Sequence, residues 1–119
     1  MPVEMTPWEF DQAVADALDS VPERFLDMLS NVAFFVEEEP DDELGLDCLG
    51  VYDGVPQTDR GWDVGAPVMP DRITIFRGPT LRFCDSAQDV VDEVRVTVIH
   101  EIAHHFGIDD ERLTQLGWD

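Results

Sequence analysis

Hydrophobic residues recur at helical spacing near the start of the chain. Phe10, Val14 and Leu18 follow one another at intervals of four residues, which predicts an amphipathic helix of about twelve residues. Thr6 can cap this helix and Pro7 suits its first position. We therefore expect the first helix to begin at this point.

Three later segments have the apolar or β-branched character of strands. They are residues 32–36, 49–52 and 72–76. A shorter helix over residues 22–29 is predicted before the first of them. The acidic segment 37–43 lacks the alternating oxygens and the glycine of a calcium loop, so we interpret it as a solvated loop. Gly78 and Pro79 are expected to end the third strand, before a short helical turn over residues 80–83.

A long helix is predicted in the last third of the chain. Ser86 followed by Asp89 is typical of a capped helix start, and Gly107 after Phe106 is typical of a helix end. Apolar residues occur on almost every side of this segment, which predicts a buried helix. Asp109 can cap a last, shorter helix.

Composition and charge limit the partners of the protein. The 119 residues fit one domain, residues 1–119, and 44% of them are hydrophobic. Seven arginines and no lysine oppose 27 acids, which gives a formal net charge of −20. Nucleic-acid backbones and anionic membranes would be repelled by this charge, whereas basic or neutral partners are favoured. The oligomeric state does not follow from the sequence.

The sequence also predicts a cytoplasmic location. Five acids in the first twenty residues argue against a secretory signal, and no apolar run approaches the roughly 18 residues that a membrane span needs. Cys48 and Cys84 lie far apart and form no CxxC motif, so we expect free thiols in a reducing compartment.

The strongest chemical signal lies inside the long helix. His100 and His104 are four residues apart, so their side chains point the same way from adjacent turns and can reach one metal ion. Glu101 lies about 100° around the helix from His100, beside the ligands, where a base acting on water must stand. This arrangement predicts a metal site with Glu101 as the catalytic base.

A catalytic zinc uses three protein ligands and keeps one position open. Gly107 lets the chain reverse after the helix, and Asp109, Asp110 and Glu111 follow directly. Asp110 stands ten residues after His100 and completes the pattern His-Glu-x-x-His-x-x-Gly-x-x-Asp. We favour Asp110 over its neighbours as the third ligand of one Zn2+ per chain.

Other interpretations of these residues remain open. The two histidines and Glu101 could satisfy one another at the helix end without a metal. Two histidines and one carboxylate also suit iron(II), but an iron oxygenase has no need of a glutamate between the histidines. His105 points away from the ligand face and is expected to be packed or to support a ligand. Glu93 and Thr97 could orient an imidazole or simply face solvent.

Around the motif the sequence resembles the zincin metallopeptidases, and Gly107 with Asp110 resembles their metzincin branch. The similarity is closer to the minimal zincin-like metallopeptidases, a bacterial family of about this length. It is carried by residues 32–33, 51–56, 70–74, 76–79 and 93–101 and thus spans most of the chain. Unlike metzincins, this chain has no methionine after the third ligand, and it ends nine residues past Asp110.

The resemblance implies an α/β (α+β) fold in which a small mixed sheet of about three strands packs against the active-site helix and the N-terminal helices. It implies zinc bound by His100, His104 and Asp110, with Glu101 as base. It also implies that the strand over residues 73–76 is the sheet edge on which a peptide substrate lies. Because so little chain follows Asp110, we expect an open cleft.

The predicted function is zinc-dependent hydrolysis of peptide bonds in a peptide or protein substrate, with basic or extended segments favoured. Glu101 would take a proton from water and pass it to the leaving amine. Tyr52, Arg60 and Arg77 are candidates for the donor to the developing oxyanion. The alternative is a metal-binding or interaction module that keeps the site without significant proteolytic turnover.

Overall fold

The structure is a computed structural model that describes residues 3–29, 32–54 and 71–116, without the side chains of Arg24, Met28, Asp110, Leu113 and Leu116. Two helices, three strands and three helices follow one another in these ranges, as an α/β (α+β) fold of the predicted kind requires. In chain order they are α1 (Pro7–Ser20), α2 (Glu23–Met28), β1 (Val32–Glu37), β2 (Gly50–Asp53), β3 (Asp71–Phe76), α3 (Arg77–Phe83), α4 (Ala87–His105) and α5 (Asp110–Leu116).

The three strands form a mixed sheet in the order β1-β3-β2. Strand β1 pairs with β3 in parallel, and β2 pairs with β3 in antiparallel orientation. The prediction that residues 73–76 form the sheet edge is wrong, because β3 has a neighbour on each side. Ile73 and Ile75 are fully buried, as the interior position of their strand requires. Among the described strands, β1 and β2 are the edges.

Helix α1 begins with the capping box that the sequence predicts. The Thr6 side chain accepts a hydrogen bond from the Glu9 backbone N–H, and the Glu9 side chain accepts one from the Thr6 N–H. The buried face of the helix consists of Phe10, Ala13, Val14 and Ala17. This face packs against α4. The spacing of the apolar residues thus predicts the face by which α1 supports the helix that carries the site.

Helix α4 begins at its predicted cap, where the Ser86 hydroxyl accepts from the Asp89 N–H at 3.1 Å. Val90, Val94 and Val98 are fully buried on the side that faces the core. Val96 is 40% exposed on another side. The prediction of a helix buried all round is therefore wrong, because the sheet and α1 cover only part of its circumference.

Helix α3 begins earlier than the predicted turn over residues 80–83. Gly78 and Pro79 do not break the chain after β3 but lie in the first turn of the helix. Proline is tolerated there because the first N–H groups of a helix need no partner within it. Thr80 is fully buried, and its hydroxyl donates to the Phe76 carbonyl at 2.7 Å.

The acidic segment after β1 is tied to α3 by arginines. Arg82 binds both carboxylate oxygens of Glu39 at 2.9 Å. This hydrogen bond lowers the pKa of Glu39. Arg77 donates to Glu38 and to the Met5 carbonyl. The expected solvated loop thus has two ordered ion pairs at its start.

Two further predictions about the chain concern its thiols and its hydropathy. Cys48 and Cys84 are both free, as predicted. Burial, followed by nearby carboxylates, raises the pKa of the Cys84 thiol to about 11, so this thiol stays protonated at neutral pH. Within the described ranges no helix combines the length and the apolar character that crossing a bilayer requires.

Candidate metal centre

The two histidines of the motif lie side by side on α4. Their ring centroids are 4.6 Å apart and the ring planes meet at 78°. Both side chains are half-buried. This is the arrangement that a separation of four residues on a helix predicts, because such residues project from adjacent turns of one face.

Glu101 is placed beside the histidines and almost out of solvent. Its residue surface is only 4% exposed, and its Oε1 accepts a hydrogen bond from His104 Nδ1 at 2.9 Å. A carboxylate only accepts, so Nδ1 is the donor in this bond and Nε2 is the nitrogen left to face a metal. Glu101 therefore orients one imidazole, as expected from the interpretation in which these residues satisfy one another.

The donor atoms of these residues are suited to a zinc ion. One ligand atom each from His100, Glu101 and His104 lies within 4.8 Å of the others. Ligands of a tetrahedral zinc with bonds of about 2.1 Å are about 3.4 Å apart, a separation that falls within this spread. Imidazole nitrogens with carboxylate oxygens are also the ligand types that catalytic zinc prefers. The residues present fit this metal.

The turn after α4 brings the acidic segment to the site's end of the helix. Gly107 has φ of 81°, and the N–H groups of Gly107 and Ile108 donate to the His104 and Ala103 carbonyls, each at 2.9 Å. These two bonds define a Schellman motif, which only a residue tolerant of positive φ completes without strain. The chain therefore reverses at Gly107, three residues after His104.

The third ligand stays a prediction. Asp109 caps α5, since its Oδ1 accepts from the Arg112 N–H at 2.9 Å. Asp110 is the first residue of α5, and its side chain lies outside the described part. The preference for Asp110 over this neighbour is therefore not tested by the described side chains.

A cleft of about 500 Å³ adjoins the histidines. Strand β2 and the segment before it form one wall, and α4 forms the other. The cleft is lined by Cys48, Leu49, Gly50, Val51, Tyr52, Glu93, Val96, Thr97, His100, Glu101 and His104. An extended segment of another chain could thus approach the histidines along β2.

A buried polar network joins both sheet strands near the site to α4. Asp71 on β3 is 3% exposed, and its Oδ2 accepts from the Tyr52 hydroxyl at 2.5 Å and from His105 Nδ1 at 2.8 Å. His105 is fully buried, as expected for a histidine that points away from the ligand face. Gly54 leaves room for this carboxylate, because a Cβ there would lie 2.5 Å from Asp71 Cγ. A buried carboxylate is tolerable only with such donors.

The structure describes two of the three candidate oxyanion donors. Tyr52 lines the cleft, but its hydroxyl proton is directed to Asp71. Arg77 is bound to Glu38 and to Met5 and is not among the residues that line the cleft. Arg60 lies outside the described residues. Tyr52 is therefore the candidate placed at the cleft.

Cys48 is the thiol that lines the cleft. Burial is the main cause of its raised pKa; a backbone hydrogen bond of Gly50 lowers the pKa and the negative charge of Glu101 raises it further. Because the thiolate is the form that binds metal, the raised pKa makes Cys48 a poor competitor of the histidines at neutral pH.

Gly50 allows β2 to approach α4 at the cleft. A Cβ at this position would lie 2.6 Å from Thr97 Cγ2 and 3.2 Å from the Thr74 carbonyl oxygen. We expect Gly50→Ala to lower the free energy of unfolding by about 1–3 kcal/mol, because the strand must move away from the helix. Urea unfolding of the purified protein measures this change.

The matched control for this prediction is Thr97→Ser. It removes Cγ2 but keeps the hydroxyl that donates to the Glu93 carbonyl at 2.8 Å. In the double variant the loss due to Gly50→Ala should be partly restored, whereas strictly additive changes in the free energy of unfolding would contradict the clash.

The model of the family described as zincin-like metallopeptidase matches residues 29–118. Among solved structures, a conserved hypothetical protein from Thermo thermophilus is similar with a TM-score of 0.60 and 24% sequence identity, over 96% of this chain and 100% of that one. At this identity the likeness supports the fold alone. Among the curated proteins no significant match was found.

Proposed function

Because this chain belongs to the zincin-like metallopeptidase family, we propose that it is a zinc-dependent peptidase that hydrolyses peptide bonds. The observation that carries the proposal is the group of His100, Glu101 and His104, in which a carboxylate 4% exposed stands between two imidazoles on a helix. The hydrogen bond from His104 offsets the cost of burying this carboxylate and holds it beside the two potential ligands.

In the proposed chemistry, three residues bind the metal and a fourth transfers the proton. His100, His104 and Asp110 hold the ion. Bound zinc supplies Lewis acidity, which lowers the pKa of a water molecule and polarises the substrate carbonyl. Glu101 takes the proton of the attacking water and delivers it to the leaving amine. Its hydrogen bond to His104 keeps both groups in position for this transfer.

The substrate is proposed to lie along β2 as an added strand. The Phe76 N–H donates to the Leu49 carbonyl at 2.9 Å, and in an antiparallel pair every second residue makes such bonds. The backbone N–H and carbonyl of Val51 face β3 in the same way. Those of Gly50 and Tyr52 therefore point in the other direction, towards the edge of the sheet. This edge borders the cleft that contains the histidines, and it replaces residues 73–76 as the proposed substrate strand.

Removal of the metal should abolish cleavage. We expect the protein purified without added metal to contain about one zinc per chain. Dialysis against 1,10-phenanthroline should then stop its cleavage of casein, because no ion remains to activate water. Addition of one equivalent of zinc should restore cleavage. Elemental analysis and a casein assay measure the two quantities.

The outcomes of this experiment separate the two candidate functions. Cleavage that persists in the metal-free protein would contradict a zinc mechanism. One zinc per chain without cleavage of casein or of a peptide library would leave a metal-binding module, which is the alternative function. Iron in place of zinc in the purified protein would contradict the zinc-dependent peptidase.

A further inference from the structure

The cleft has a carboxylate at the end opposite to the metal ligands. Glu93, Thr97, His100 and His104 lie along one stripe of α4, and all four line the cleft. Seven residues separate Glu93 from His100, which corresponds to about 10 Å along the helix axis. The Glu93 side chain is half-buried in this position.

The walls between this carboxylate and the histidines are largely apolar. Leu49 and Val51 contribute from the side of β2, and Val96 contributes from α4. In the ranges that the structure describes, no hydrogen bond or ion pair joins the Glu93 carboxylate to another side chain. A half-buried carboxylate without such a partner, at the end of an apolar passage, favours a ligand with an aliphatic stem and a cationic head.

We propose that Glu93 selects peptides that carry a lysine or arginine about three residues from the scissile bond. This inference rests on the proposed function. An added strand advances about 3.3 Å per residue, so 10 Å corresponds to about three residues between the histidines and Glu93. The stem of the side chain packs on the apolar walls, and its charge pairs with Glu93.

The distance of Glu93 from the histidines suits the selection of a substrate side chain. Glu93 is too far along the helix to orient an imidazole, which is the other role that the sequence suggests. His104 already donates its Nδ1 proton to Glu101 at 2.9 Å. Glu93 is two turns before His100, and its backbone carbonyl accepts from Thr97 Oγ1 at 2.8 Å. A residue that oriented an imidazole would change zinc affinity when replaced, so zinc affinity separates the two roles.

The net charge of −20 favours any basic peptide, so the test needs a control that removes charge elsewhere. Asp92 is next to Glu93 on α4, exposed and outside the cleft. Its carboxylate accepts from Gln88 at 3.1 Å. Asp92→Asn therefore changes the net charge by the same amount as Glu93→Gln without altering the cleft.

The probes are two series of ten-residue peptides of alanine and glutamine. One lysine is moved through all positions in the first series, and norleucine is moved likewise in the second. Binding to the zinc-loaded protein is measured by calorimetry in the Glu101→Gln background, which keeps the peptides intact. Zinc affinity is measured by competition with a chromophoric chelator.

We expect lysine at the favoured positions to bind about tenfold more tightly than norleucine, which is the usual effect of a partly desolvated charged hydrogen bond. Glu93→Gln should remove this difference, and Asp92→Asn should keep it. Equal binding of the two series, or equal loss in both variants, would overturn the inference. A fall in zinc affinity in Glu93→Gln would also overturn it in favour of an orienting role.

Failure of the proposed function gives a different result. If the wild-type protein cleaves none of the peptides but the lysine preference is present and depends on Glu93, the cleft inference stands and the peptidase proposal fails. If the protein cleaves the peptides of both series at equal kcat/KM, the peptidase proposal stands and the inference about Glu93 fails.

Discussion

Glu101→Gln should reduce peptide cleavage by about 10²–10⁴-fold while the protein still binds one zinc per chain. Glutamine has nearly the shape of glutamate, and its carbonyl can still accept the hydrogen bond from His104 Nδ1. It cannot take a proton from water. Catalysis is therefore lost without loss of the histidine arrangement, and kcat falls much more than KM changes.

The test compares three proteins that differ by single groups. Wild type, Glu101→Gln and Asp92→Asn are assayed with the same peptide library, and their zinc content is determined. Asp92 is an exposed carboxylate on the same helix, so its variant should cleave as fast as wild type. Equal rates for wild type and Glu101→Gln would contradict the role of Glu101 as base and would favour the metal-binding module.

The largest effect on stability is expected for Asp71→Ala, which should lower the free energy of unfolding by about 3–5 kcal/mol. Asp71 is 3% exposed and accepts from Tyr52 and His105, and His105 has no exposed surface. Alanine removes the acceptor of both groups at once. The two donors are then left in the core without this partner, and their desolvation cost is no longer offset.

Two variants with smaller changes serve as controls. Tyr52→Phe removes one hydroxyl and should cost about 1 kcal/mol, and Asp71→Asn keeps an acceptor and should cost less than alanine. Urea unfolding gives the free energy for each. A loss below about 1 kcal/mol for Asp71→Ala would contradict the importance of this network for the packing of β2, β3 and α4.

The features that could be predicted from the sequence are local ones. The Thr6 and Ser86 caps, the turn at Gly107 and the pairing of His100 with His104 each depend on residues within a few positions of one another. Helical geometry alone relates such residues, so short-range spacing is sufficient. The family resemblance then added the mixed sheet, whose three strands are confirmed.

The features that could not be predicted depend on residues far apart in the chain. The contact between Asp71 and His105 joins residues 34 positions apart, and no spacing rule brings them together. The position of β3 between β1 and β2 is equally non-local. A strand with apolar residues on both faces indicates burial, which would have favoured a central position for Ile73 and Ile75 over an edge.

The Glu101 to His104 hydrogen bond matches the alternative interpretation in which the histidines and Glu101 satisfy one another. Residues three apart on a helix are neighbours, so this contact is also a local one. A carboxylate has two oxygens, so Glu101 can accept from an imidazole with one of them and keep the other for water.

The central claim is a zinc ion held by His100, His104 and Asp110, and anomalous diffraction tests it most directly. Crystals of the protein purified without added metal are measured on both sides of the zinc absorption edge. We predict one peak per chain, about 2.0–2.2 Å from a nitrogen of each histidine and from a carboxylate oxygen of Asp110. The absence of a peak between the two histidines, or a peak coordinated by other residues, would contradict the claim.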